Sequence, residues 1–112
     1  MTLREEQVVA SVGRISVTEL RLWQVQGWVA PRQDDEGPVF DELDVARIRL
    51  VCELREDMEI DEETIPVLLS MVDQIHGLRR SLKSLAQAVD EQPAEVRRSV
   101  LTSFQARLQS KP

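Results

Sequence analysis

Leu68, Val72, Ile75, Leu78, Leu82, Leu85 and Val89 recur at intervals of 4, 3, 3, 4, 3 and 4 residues. That spacing returns apolar side chains to one face of an α-helix, and its last five members keep a heptad seam. The pattern predicts one long helix, closed before Pro93. It starts either near Asp61, as an N-cap with Glu62 and Glu63 in the first turn, or at Thr64, which relieves a conflict with Pro66. Beyond Pro93, Val96, Val100, Leu101, Phe104 and Leu108 mark a last amphipathic helix, so the carboxy-terminal part reads as an α-hairpin. A lone hairpin cannot bury two apolar stripes. Either both arms fold back on the amino-terminal residues, or a second copy covers them. Heptads this regular favour the second, a homodimer seamed by Ile75, Leu78, Leu82, Leu85 and Val89.

The first forty residues have a different rhythm. Glu5 to Val12 predicts a short helix with Val8, Val9 and Val12 on one side, stopped by Gly13. A second follows, capped by Ser16 or Thr18 and closed at Gly27, with Val17, Leu20 and Val25 among its apolar positions. Two short helices joined by a glycine-containing turn are the pattern of a helix-turn-helix. Trp28-Val29-Ala30 and Val39-Phe40 then flank the acidic turn Asp34-Asp35-Glu36-Gly37, which predicts a small β-hairpin, or wing. Pro31 and Pro38 limit its pairing.

Asp41 is a good N-cap for a third helix, with Asp44 in the capping-box position and Val45, Ile48, Val51, Cys52 and Leu54 as its buried stripe. The expected fold is mostly α. A winged helix-turn-helix occupies residues 1–60 and a helical hairpin 61–112, together one compact domain.

Charge is unevenly distributed over these elements. Residues 34–63 carry thirteen acidic side chains against three arginines, between a leading stretch of net +1 and a trailing one of net +3. The plainer reading is a solvated face that keeps a small protein soluble. The sharper one is a surface that repels phosphate and attracts a basic protein. A DNA reader normally presents Lys and Arg on its second helix and wing. Here the second helix offers Arg21 against Glu19, and the wing tip is acidic. Arg14, Arg21 and Arg32 are the candidates for a DNA-binding alternative.

Catalytic chemistry is poorly supplied. The chain has one His, one Cys, no Tyr and four scattered glycines. Cys52 sits in an apolar stripe with nothing beside it to lower its pKa, so a buried structural thiol is expected. His76 has no set of converging donors for a metal, and no glycine-rich loop precedes a helix. No enzyme, cofactor, metal or small-molecule substrate is predicted. The single Cys, the lack of an apolar leader and the lack of any membrane-length apolar run fit a cytoplasmic protein.

Val17-Thr18-Glu19-Leu20-Arg21-Leu22-Trp23, Gly27-Trp28-Val29-Ala30-Pro31, Phe40-Asp41 and Leu43-Asp44-Val45-Ala46-Arg47-Ile48 resemble the helix-turn-helix and wing of MerR-type regulators. Gly37-Pro38-Val39-Phe40-Asp41 departs from that family's usual wing, which carries a backbone-binding arginine. The ordered set Val29-Ala30-Pro31-Arg32, Val39-Phe40-Asp41, Leu54-Arg55, and Ile60-Asp61 through Ile65 to Met71, Asp73, Ile75, His76 and Leu78 is similar to the chaperone-modulator family CbpM, a MerR-like branch. The likeness spans roughly residues 5 to 89, and residues 93–112 extend beyond it.

That resemblance implies a small inhibitor that binds the J-domain of a DnaJ/CbpA-like co-chaperone and blocks its work with a DnaK-type chaperone. J-domains present a basic helix, which an acidic modulator suits electrostatically. The residues expected to carry recognition are Glu53, Glu56, Asp57, Asp61 and Asp73, with apolar contact from Met58 and Ile60. The resemblance singles out Asp61 and Asp73, although Asp61 also reads as a helix cap.

Overall fold

A computed structural model describes residues 1–110. Its first helix, α1 (Glu5–Val12), begins where the Gln7 side chain accepts the Arg4 backbone N–H at 2.8 Å. It ends at Gly13, whose φ of 75° lies in the left-handed region that glycine enters without cost. Helix α2 (Val17–Val25) opens on a reciprocal capping box: Ser16 Oγ accepts from the Glu19 N–H, and Glu19 Oε1 accepts from the Ser16 N–H, both at 3.1 Å. Of the two candidate caps, Ser16 is the one used.

The exit from α2 is a Schellman motif. The Trp28 N–H donates to the Trp23 carbonyl at 2.9 Å and the Gly27 N–H to the Gln24 carbonyl at 3.1 Å. The indoles of Trp23 and Trp28, centroids 6.0 Å apart, supply the apolar contact that accompanies such a cap.

This cap explains a correction to the expected wing. Trp28 and Val29 are not strand residues: one closes the helix and both are buried in the core. The hairpin starts later, with β1 (Arg32–Asp34) antiparallel to β2 (Gly37–Val39) in the register Arg32↔Val39, Gln33↔Pro38 and Asp34↔Gly37. In a two-stranded ribbon both strands are edges, so Pro38 is tolerated. Phe40 then pairs with Leu3, their backbones exchanging hydrogen bonds of 2.8 and 2.9 Å.

Helix α3 (Glu42–Cys52) has the predicted box between Asp41 and Asp44, each side chain accepting the other's backbone N–H at 2.8–2.9 Å. Helical winding continues as one π-helical turn, Glu53–Asp57, closed by a Met58 N–H to Glu53 carbonyl bond of 2.9 Å. Glu59 follows at φ 53°, strained for a side chain with a Cβ. Glu59→Gly is expected to stabilise the fold by up to about 1 kcal/mol, less glycine's larger loss of freedom on folding. A thermal melt should show a midpoint unchanged or raised by a few degrees; a clear fall would refute the account of this turn.

Helix α4 (Ile65–Asp90) begins after a turn over residues 62–64, in which Asp61 Oδ1 accepts the Thr64 N–H at 3.0 Å. Pro66 thus lies in the first turn, where its missing N–H has no helical partner to lose. Ile65 and Leu69 belong to the same buried cluster as Val8, Leu20, Trp23, Phe40 and Ile48.

The chain divides into two compact units, Met1–Ser70 and a second that begins at Met71. The first holds the core. The second contains the rest of α4 and helix α5 (Ala94–Gln109), with Pro93 at the start of α5. Among its described residues no side chain is buried. Leu78, Leu82 and Leu85 are 70, 63 and 61% exposed, and the stripe of α5 from Val96 to Leu108 is open as well. Among the described residues no helix is long and apolar enough to cross a membrane.

Candidate functional site

The acidic residues expected to recognise a partner fall into distinct settings. Glu53, Glu56 and Asp57 share the π-helical turn, and Met58 follows it, exposed. Ile60 is half-buried and packs against the core, so only part of it is offered to a partner. Asp61 caps the turn before α4. The two bonds with Thr64, side chain and backbone, hold its carboxyl below the usual range. Asp73 is an exposed residue of α4 in the second unit.

Glu56 and Asp57 converge on Arg14. Its guanidinium reaches Asp57 at 2.7 Å and Glu56 at 2.8 Å, across the turn between α1 and α2. The hydrogen bonds from Asp57 and Glu56 hold the Arg14 guanidinium well above its ordinary pKa, and Arg14 in return depresses Asp57. Arg55 extends the same network. It donates to Glu19 at 2.6 Å and to Glu56 at 3.1 Å, and its guanidinium lies 5.1 Å from the centroid of the Trp23 ring. The Ser16 backbone bond, followed by the bond from Arg55, keeps Glu19 below the carboxylate range.

Sequence reasoning missed Arg55 and Arg4 as organising residues. Arg4 grips the wing, with Asp34 at 2.8 Å and Glu36 at 3.5 Å. Of the arginines considered for DNA, Arg14 is engaged as described and Arg21 lies 2.9 Å from Glu5. Arg32 is exposed on β1. Two further arginines serve the fold. Arg47 Nε donates to the Trp28 carbonyl, and Arg49 reaches the Ser11 hydroxyl at 3.1 Å.

The chemistry of this surface is ionic. Cys52 is buried, and desolvation pushes its thiol pKa up, away from reactivity. Among the described residues no group of three His, Cys, Asp or Glu side chains is placed to hold a metal.

The carboxylates set the pH response. Glu19, Asp34, Asp41, Asp57 and Asp61 are all held below their ordinary values in the folded chain. Their stabilisation is present above the unfolded pKa, near 4, and is lost as pH falls through the lower folded values. Asp44 opposes them: burial raises its pKa, so protonation relieves it. The melting temperature, followed by circular dichroism, is expected to fall once pH drops below about 4; a rise on acidification would contradict the network.

A model of the MerR HTH regulatory protein family matches residues 7–87, from α1 through the wing and α3 into α4. The chain belongs to the MerR helix-turn-helix family of regulatory proteins, a family that is generally non-enzymatic. Helix α5 lies outside the matched stretch. Searches of the curated proteins and of the solved structures each returned no match.

Proposed function

We propose that this MerR-family chain is a chaperone modulator: it binds the J-domain of a DnaJ/CbpA-like co-chaperone and inhibits that protein's action with its DnaK-type chaperone. The observation that carries the reading is the fate of the helix-turn-helix arginines. Arg14 and Arg21, like Arg4 beside them, are each paired with carboxylates of the same chain, and of the three DNA candidates Arg32 is left exposed on β1. A DNA reader gains most of its affinity by spending such cations on phosphates. Here Arg14 and Arg21 are neutralised, and the surrounding surface is acidic, which suits a basic protein helix. The resemblance of the ordered motifs to the CbpM branch supplies the identity of that helix.

On this reading Glu53 and Asp73 are the recognition residues to test, with Met58 as the apolar contact. Glu56 and Asp57 are less direct probes, because reversing either also breaks the Arg14 network. Glu53→Lys and Asp73→Lys are each expected to weaken binding of a purified J-domain severalfold in calorimetry and to leave the melting temperature nearly unchanged. Undiminished affinity in both variants would remove these residues from the interface. The same proposal pairs two copies through Ile75, Leu78, Leu82, Leu85 and Val89.

A further inference from the structure

Helix α2 turns Leu20 and Trp23 into the core and presents Thr18, Arg21, Leu22, Val25 and Gln26 to solvent. Leu22 and Val25, three residues apart, share the middle of that outer face with Thr18. They are 49 and 84% exposed. A helix that reads base edges centres hydrogen-bonding groups and cations on this face. This one centres two aliphatic side chains, and its arginine is held by Glu5.

The wing is anchored beside it. Arg4 and Glu5 are consecutive; Arg4 takes Asp34 of the wing while Glu5 takes Arg21 of α2. One point of the chain therefore ties the wing and the outer side of α2 together. At the wing tip Asp34, Asp35 and Glu36 outnumber Arg4, the cation that pairs with two of them.

We propose that the outer face of α2, with Leu22 and Val25 at its centre and the wing acids at its rim, docks an amphipathic basic helix of a protein partner. The partner's aliphatic positions cover Leu22 and Val25, and its Lys or Arg side chains meet Asp35 and Glu36. A second copy of the first unit is a poor occupant. Residues 1–70 carry sixteen acidic side chains against seven basic ones, so like charge would meet like. The choice of a J-domain helix as occupant rests on the modulator reading above. The surface itself is distinct from Glu53, Asp61 and Asp73.

Calorimetry with a purified DnaJ-type J-domain and the full-length chain tests this. Leu22→Ser combined with Val25→Ser is expected to weaken binding about tenfold or more, because it removes most of the apolar area the face offers. Val25 is mostly exposed and Leu22 half so, and the thermal midpoint should fall by no more than a few degrees. Asp35→Lys combined with Glu36→Lys should also weaken binding and flatten its dependence on salt. If the wild-type chain binds and both double variants bind equally well, this face is refuted and the modulator reading stands. If the wild-type chain does not bind the J-domain, the occupant proposed here falls together with that reading. Retardation of duplex DNA by the wild type, abolished by the Leu22/Val25 change, would assign the face to nucleic acid and overturn the proposal.

Discussion

Replacing Phe40 by Ala is expected to cost about 3–5 kcal/mol, the range for emptying a fully buried aromatic site. Phe40 has no exposed surface, and both its backbone N–H and its carbonyl bond to Leu3. Its ring belongs to the cluster that α1, α2, α3 and the start of α4 share. A unit of this size holds only about 4–10 kcal/mol in total, so the loss consumes much of its stability. The midpoint of thermal unfolding should drop by at least about 12 °C. Trp23 and Trp28 are both buried in this unit, so indole fluorescence reports on it directly. Leu43→Ala, at an exposed position of α3, is the control and should stay within about 0.5 kcal/mol of the parent. A Phe40→Ala protein that melts within a few degrees of the parent would mean that the core is not organised around this residue.

The second large effect concerns the other unit. Leu82→Glu places a carboxylate in the middle of the seam proposed to join two copies, where dimer formation would bury one charge from each chain. Burying unpaired charge costs several kcal/mol, enough to abolish an association made of one helical face. Light scattering is expected to give the wild-type protein twice its chain mass of 12.8 kDa and the variant a single chain mass. The variant's tryptophan fluorescence should match the parent's, since Leu82 lies outside the unit that holds both indoles. A monomeric parent, or a variant that still dimerises, would contradict the seam.

What could be read from the sequence follows from the range of each interaction. The Asp41–Asp44 box and the left-handed Gly13 and Gly27 are settled within three or four residues, and each appears where the local pattern puts it. The Ser16–Glu19 box is equally local, and it settles between two candidate caps. The wing register is different. Trp28-Val29 has the composition of a strand, but the helix exit and the core claim both side chains, and the strand forms from the polar residues after Pro31. Composition alone does not rank a tertiary demand above a local propensity.

The site was legible only as a block of charge. That Arg14 would meet Glu56 and Asp57, forty-two and forty-three residues away, depends on how α1 and α3 pack. Arg55 is similar. The folded chain fixes Glu19 in the Ser16 box, but nothing local marked Arg55 as the cation that would reach it and lie over Trp23. Once those pairs form, the acidic block resolves into carboxylates that hold the fold, such as Asp57 and Asp61, and others at the surface, such as Glu53 and Asp35. Of the arginines that argued for DNA, Arg14 and Arg21 pair with carboxylates of the same chain, and Arg32 is exposed on the wing.

This helix-turn-helix is proposed to serve a protein partner. Titration of a purified J-domain into the full-length chain at low and at moderate salt, alongside a gel shift with duplex DNA under the same conditions, tests it most directly. Saturable J-domain binding that weakens as salt rises is expected, with no DNA retardation at moderate salt. Steeply salt-dependent DNA binding by a chain that leaves the J-domain untouched would contradict it.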